Sequence, residues 1–502
     1  MVVRVSTRRA ALLALGAAAS VLPACAVGTG DSRAAPGPAT SPDADLTTRP
    51  VPPPSVAPAV IAQRRQPNVL LVTIDTLRTD HVGFLGESAG SGPITTPTLD
   101  RLAAEGAYGA AYVQLPQTLP NHASILTGTY IQTHGLRTTL WDPSRDAIPT
   151  LDQILRGAGY RTAGIVSWYS LDHEFTNLVR AYDHWEQVVT RYGTRERVTP
   201  EETRAAFRAG TDMSKAFDGD ARLTSDAAIA WLDAHGTLTD KPWFFWLHYR
   251  DPHYPFTPPA GLAPQTGSSF DGGPTNLGRI SAGYAPTPAE MAGLRAAYDG
   301  EITYTDAQLA RVFNRLEELK LAEDTIVVVT GDHGESFLEH GPWDWLHGHS
   351  VYEAAVRVPL LVRFPAAPAA VAPATRLYDR VQSADITPTV LSLAGLPVSP
   401  TFEGYSFAPL LAGTPSPATR GAWGTIHDDS QNYVVDGDWK LVRWNNPGFR
   451  TGDELYHLAS DPRETRDYRS EHRDVAARLS GLLDRWLTAK GSDQPWRPWE
   501  TA

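Results

Sequence analysis

The chain has 502 residues, a formal charge of −12 and a single cysteine. That acidic balance argues against gripping nucleic-acid backbones by counterion release, and against docking on anionic membrane by charge alone. One cysteine excludes an internal disulfide.

Residues 1–25 read as an export signal. Ser6-Thr7-Arg8-Arg9-Ala10-Ala11-Leu12 resembles a twin-arginine motif, and the apolar stretch from Ala10 to Leu22 is too short to span a bilayer. Leu22-Pro23-Ala24-Cys25 resembles a bacterial lipobox, which makes Cys25 the candidate for lipidation and the only route to a membrane. The plain alternative is cleavage near Ala24 or Ala26 and release. Either outcome places the mature chain outside the cytoplasm, in the cell envelope or secreted. Residues 26–66 are rich in Pro, Ala, Ser, Thr and Gly, bury too little apolar surface to fold, and read as a disordered tether.

About 435 residues follow, enough for one large α/β domain and a smaller lobe. Val69-Leu70-Leu71-Val72-Thr73-Ile74 is an apolar, β-rich run, as expected of a strand buried on both faces, and it ends on Asp75. Leu99 to Ala104 is helical. Thr118 then precedes Leu119-Pro120 and a second helical stretch. Proline suits a first turn, so Thr118 stands at a helix N-terminus, where free N–H groups and the macrodipole favour an anion. His122 lies one turn on and is placed to face the same pocket. Ile148 to Gly157 reads as a helix and Arg161 to Val166 as a strand, with a helix over Ala221 to His235.

Trp243-Phe244-Phe245-Trp246-Leu247 is another buried strand, followed by Asp251 and His253. Residues 255–289, rich in Pro and Gly, read as an irregular cover over a site. Glu290 to Leu319 reads as one long helix. Ile326-Val327-Val328-Val329-Thr330-Gly331 is a third such strand, ending on Asp332 and His333. Strands alternating with helices to about residue 400 predict a mostly parallel sheet with helices on both faces. Beyond it, Asp436-Gly437 between β-prone runs signals a hairpin, and Ala476 to Leu487 a closing amphipathic helix.

Ligands of open α/β sheets bind beyond the carboxyl ends of strands. Asp75, Asp332 and His333 lie there, and hard carboxylates with imidazole suit a divalent cation such as Zn, Mn, Mg or Ca. Taken singly, each Asp would serve as an ordinary helix cap.

Four segments in fixed order carry a resemblance to the sulfatase family of the alkaline-phosphatase superfamily. They are Pro67 to His81, Thr96 to Gly128, Gly331 to Leu360 (with Glu339-His340-Gly341, Tyr352-Glu353 and Arg357-Val358-Pro359), and Glu454 to Pro462. The resemblance implies an alkaline-phosphatase-like catalytic domain over 67–400 and a small antiparallel subdomain over 401–502. It also implies an anionic ester substrate and a metal held by Asp75, Thr118, Asp332 and His333. Asp251, His253, His347 and His349 are candidates for a second metal. The last three, with His122, are also candidates for leaving-group chemistry beside the nucleophile.

The departures are informative. Where sulfatases place the Cys or Ser that becomes formylglycine, this chain has Thr118, which cannot follow that route. The Gly-Lys-Trp-His run of sulfatases matches Val166-Ser167-Trp168-Tyr169, without its Lys and His. Thr118-Leu119-Pro120-Asn121-His122 instead resembles the Thr-Phe-Pro-Asn-His motif of nucleotide pyrophosphatase/phosphodiesterases, which use the threonine hydroxyl directly. The sequence therefore predicts an exported, metal-dependent ester hydrolase with Thr118 as nucleophile, favouring phosphate esters. Sulfate-ester hydrolysis without formylglycine and silent anion binding are the alternatives.

Overall fold

The computed structural model describes residues 66–488, apart from 88–94, 139–147, 173–175, 264–265, 271, 366–373, 378–379, 412–413 and 415–420. The export signal, the tether and Cys25 lie outside the described residues.

A nine-stranded sheet organises the chain. Its strands are β1 (Asn68–Ile74), β2 (Ala107–Tyr112), β3 (Arg161–Val166), β4 (His184–Gln187), β5 (Trp243–Tyr249), β6 (Thr325–Gly331), β7 (Arg357–Arg363), β8 (Thr375–Arg376) and β9 (Val381–Gln382). The spatial order is β8-β2-β7-β6-β1-β5-β3-β4, with β9 also on β2. Strand β1 runs parallel to both β5 and β6, while β7 is antiparallel to β2 and β6. The predicted α/β class is observed. The reversed strand is invisible in the sequence, because a run buried on both faces reads the same in either direction.

Seven helices matter here: α1 (Pro97–Glu105), α2 (Thr118–Thr127), α3 (Leu151–Gly157), α4 (Ala221–Trp231), α5 (Pro288–Glu318), α6 (Ile386–Leu393) and α7 (Arg473–Thr488). The pleat sends alternate residues of β1 to opposite faces. Val69 and Leu71 join Leu119, Ile125, Leu155 and Val390 from α2, α3 and α6. Leu70 and Val72 join Leu102, Trp231 and Phe313 from α1, α4 and α5. Helix α5 starts on Thr287, whose side chain accepts from Glu290 N while Glu290 reaches back, with Pro288 in the first turn. Residues 255–289 depart from the expected irregular cover: a helix spans Pro274–Ser281, entered through Gly273 with Pro in its first turn.

After residue 400 the chain builds a four-stranded antiparallel meander: β10 (Ala422–Thr425), β11 (Gln431–Asp436), β12 (Trp439–Asn446) and β13 (Arg450–His457). Asp436 pairs with Trp439, so the turn residues are Gly437 and Asp438, and Gly437 takes φ +57°. Helix α7 covers this sheet with Leu479, Leu483 and Trp486 against Trp423, Val434 and Leu441. The meander is tied to the large sheet. Tyr433 Oη donates to the Val113 carbonyl at 2.8 Å, and Thr425 N donates to the Gln114 carbonyl at 2.8 Å. Lys440, fully buried, pairs with Glu353 at 2.8 Å and Glu464 at 2.9 Å. Leu479→Ala should leave a cavity under α7 and cost about 2–5 kcal/mol, measured as a fall in the denaturant or thermal midpoint.

Candidate metal centre and active site

Register builds the site. Ile74, the last residue of β1, pairs with Tyr249 on one side and Gly331 on the other. The residues that follow each strand therefore emerge at one level of the sheet edge. There Asp75, Asp332 and His333 bring one ligand atom each to within 4.8 Å of one another, all buried. His333 Nε2 lies 3.5 Å from Asp75 Oδ1 and 3.7 Å from Asp332 Oδ2. Thr118, at the start of α2, places Oγ1 3.4 Å from the same Nε2.

The turn after β1 is strained. Thr76 holds φ +55°, uncommon for a β-branched residue. It is pinned from both sides: its N–H donates to Asp332 Oδ1 at 3.1 Å, and its carbonyl accepts from Tyr298 Oη at 2.6 Å. Asp332 Oδ1 also accepts from His333 N at 2.7 Å. Asp332 Oδ2 and both oxygens of Asp75 accept no hydrogen bond. Burial pushes Asp332 up to about 8. Burial and the Asp332 charge push Asp75 well above its usual range. Burial draws His333 down to about 4, so its imidazole is neutral at neutral pH. His333 Nδ1 donates to the Gly334 carbonyl at 3.0 Å, leaving the Nε2 lone pair for the cluster. Three free carboxylate oxygens and an imidazole lone pair that meets only the Thr118 hydroxyl fit a divalent cation, and buried charge without a partner is costly otherwise.

The surrounding imidazoles are equally defined. His122 Nδ1 donates to the Thr118 carbonyl at 2.7 Å, so its Nε2 accepts from Thr73 Oγ1 at 3.0 Å. Thr73 has one proton to give and also takes the Trp246 indole N–H at 3.0 Å. His248 Nδ1, 3.0 Å from Thr73 Oγ1, must then donate. Its Nε2 is left as a lone pair without a hydrogen bond, 3.9 Å from Asp75 Oδ2. His347 Nδ1 meets Glu335 Oε1 at 2.9 Å, and its ring centroid lies 4.4 Å from that of His333 and 4.8 Å from that of His253. His253 Nδ1 donates to the Tyr254 carbonyl at 2.7 Å.

The Sulfatase family profile matches residues 67–396. The chain belongs to the sulfatase family. A second profile, the C-terminal part of N-sulphoglucosamine sulphohydrolase, matches residues 339–488. The chain is 26% identical over 472 residues to the uncharacterized sulfatase YidJ of Escherichia coli, covering 86% of this chain and 91% of that one. It is 26% identical over 457 residues to human arylsulfatase K, covering 82% and 81%. Among solved structures, the fold is similar to one in complex with its substrate D-glucosamine-2-N,6-O-disulfate (TM-score 0.66, 19% identity, 86% and 99% covered). It is also similar to the phosphonate monoester hydrolase of Agrobacterium radiobacter (TM-score 0.62, 20% identity, 84% and 95% covered).

This sulfatase-family hydrolase thus brings Asp75, Thr118, Asp332 and His333 together, with His253 and His347 beside them. Three expectations change. His122 has both nitrogens engaged by protein, so it props Thr118 from behind rather than serving substrate. His349 is exposed, and the charges acting on it are those of His427 and Asp428, because Gly348 at φ +81° turns the chain away after His347. Asp251 does not join the metal cluster; the charges pressing on its buried carboxyl are those of Asp218 and Asp220. Among the described residues, Asp75, Asp332 and His333 form the one group of such ligands, so Asp251, His253, His347 and His349 do not assemble a second. Arg78 is architectural, with Asp80 at 2.8 Å and Glu339 at 2.8 Å. His248, Arg250 and Glu335 belong to the site and escape the sequence reading. Their signal is polar residues set in or directly after apolar strands.

Metal removal should have a pH signature. Between about pH 6.5 and 8 the imidazoles of the unfolded chain lose their remaining charge, a term common to metal-loaded and metal-free protein that drops out of their difference. Asp332, with a folded pKa of about 8, keeps a proton there that the unfolded chain has released. Asp332 therefore contributes a loss of stability to the metal-free protein as pH rises through this window. A bound cation requires the ionised carboxylate and should cancel that loss. Thermal midpoints with added divalent metal and with chelator should diverge increasingly from pH 6.5 to 8.

Proposed function

We propose that the protein is an exported, metal-dependent hydrolase of phosphorus esters that uses Thr118 as its nucleophile. The observation that carries this reading is the Thr118 hydroxyl, 3.4 Å from His333 Nε2 at the edge of the metal cluster. A formylglycine hydrate releases sulfate by collapse of a gem-diol. A threonine sulfate lacks that exit, whereas a threonine phosphate is open to attack by water. Retention of Asp75, Asp332 and His333 with a hydroxyl beside them counts against a silent anion binder. Export rests on the twin-arginine-like start, and lipid anchoring on Cys25.

A bound divalent cation would supply Lewis-acid stabilisation of the anionic ester and ease loss of the Thr118 proton. The chain's own residues do the rest. Thr118 Oγ1 bonds to phosphorus as the bond to the leaving oxygen breaks, in line. His347, held at Nδ1 by Glu335, and His253, held at Nδ1 by the Tyr254 carbonyl, keep Nε2 to take the proton that Thr118 loses and pass it to the leaving oxygen. Water then cleaves the Thr118 ester and restores the hydroxyl.

The comparisons favour one second reading, hydrolysis of sulfate esters without formylglycine, since the named relatives are sulfatases and one was solved with a sulfated sugar. The phosphonate monoester hydrolase among the neighbours supports the first. Matched aryl phosphate, aryl phosphonate and aryl sulfate esters separate the two. Phosphorus esters should turn over faster, and acid quenching should trap phosphate on the Thr118 peptide. Thr118→Ala should lower turnover about a thousandfold or more. Sulfate turnover exceeding phosphate turnover with Thr118 intact would overturn the proposal.

A further inference from the structure

Arg250 follows β5 and is fully buried, yet its guanidinium is mostly unspent. Nη2 donates to the Tyr254 carbonyl at 3.0 Å, while Nε and Nη1 make no hydrogen bond. The neighbouring carboxylates stand too far off to satisfy them: Nη1 lies 3.9 Å from Asp75 Oδ2, and Nε 3.7 Å from Asp218 Oδ1. A buried cation with idle donors is expensive, and native proteins rarely keep one without a partner.

The surroundings hold this arginine in place. Its carbon centre sits 3.6 Å from the Trp168 ring centroid, which gives the planar cation a face to stack on. Arg250 N donates to Ser167 Oγ at 2.6 Å, and that hydroxyl donates to the His248 carbonyl at 2.9 Å, stitching the ends of β3 and β5 together. Gly219 makes room, since a Cβ there would lie 2.4 Å from Arg250 Cβ. A fork of fixed N–H donors, with Nη1 nearest Asp75 and Nε nearest Asp218, suits the oxygens of a tetrahedral oxyanion.

We propose that Arg250, stacked on Trp168, clamps the non-bridging oxygens of the phosphoryl or sulfuryl group being transferred. The clamp rests on the ester-hydrolase reading for its role in turnover, but oxyanion binding tests it without turnover. In the metal-loaded full chain, calorimetry with inorganic phosphate and with sulfate should show Arg250→Ala weakening the preferred anion about tenfold to a hundredfold, at unchanged bound metal. Arg250→Lys should recover only part, because an ammonium cannot present the fork. Trp168→Leu should give an intermediate loss with the charge retained.

Three outcomes would overturn the clamp. Arg250→Ala could bind the anion as wild type does. It could lose metal in proportion to anion, which would make Arg250 a counter-charge for Asp75. Arg250→Lys, the variant to rely on if the alanine chain fails to fold, could match wild type. Arg250-dependent anion binding with no turnover of either ester class would sink the hydrolase reading and leave the clamp standing. The stronger of the phosphate and sulfate arms identifies the anion.

Discussion

Two buried carboxylates, each costly to ionise without a bound cation, govern this molecule. Three parallel strands end at one level, and helices pack on both faces of the sheet around them. Asp75 and Asp332 are thereby placed where a carboxylate is tolerable only beside a cation. Neighbouring groups follow from that demand. His333 offers a lone pair because its other nitrogen is committed to a backbone carbonyl, and the same logic fixes His248 and His253. Thr118 is brought to the cluster by a helix start rather than a strand end, so its hydroxyl and the cluster ride on separate elements.

Behind this first layer runs a chain of single-proton donors. Trp246 gives to Thr73, Thr73 to His122, and His122 to the backbone of Thr118. Each link permits one proton arrangement only, so ring orientation is set from the core outward. Asn121 adds a bond from its side-chain amide to the Asp332 carbonyl, tying α2 to the end of β6. The strained turn at Thr76 survives because Asp332 and Tyr298 grip both sides of it.

What was readable in the sequence was read through periodicity and punctuation. Asp75 and Asp332 each close an apolar β-rich run, and Thr118 precedes a proline-started helix, so their placement at one sheet edge follows from fold class. Arg250 and His248 were opaque for the converse reason. They lie at the tail of an aromatic run, and only the order β6-β1-β5 reveals that this tail borders Asp75. His347 and His349 look equivalent on paper, but the glycine between them sends the two rings to different surroundings. For His122, spacing could not supply Thr73, from another strand, which occupies its second nitrogen.

The bond from Tyr433 to the Val113 carbonyl joins residues 320 apart in sequence, and it anchors the segment that leads into Thr118. Folds rich in contacts of such separation fold slowly. The strand that carries Tyr433 emerges near the end of synthesis, so a nascent chain holding Asp75, Thr118, Asp332 and His333 still lacks the brace for the segment leading into Thr118. Prematurely terminated or C-terminally clipped chains would carry a complete set of site residues without the scaffold that registers them. The last hundred residues thus brace the segment leading into Thr118 as well as covering the core.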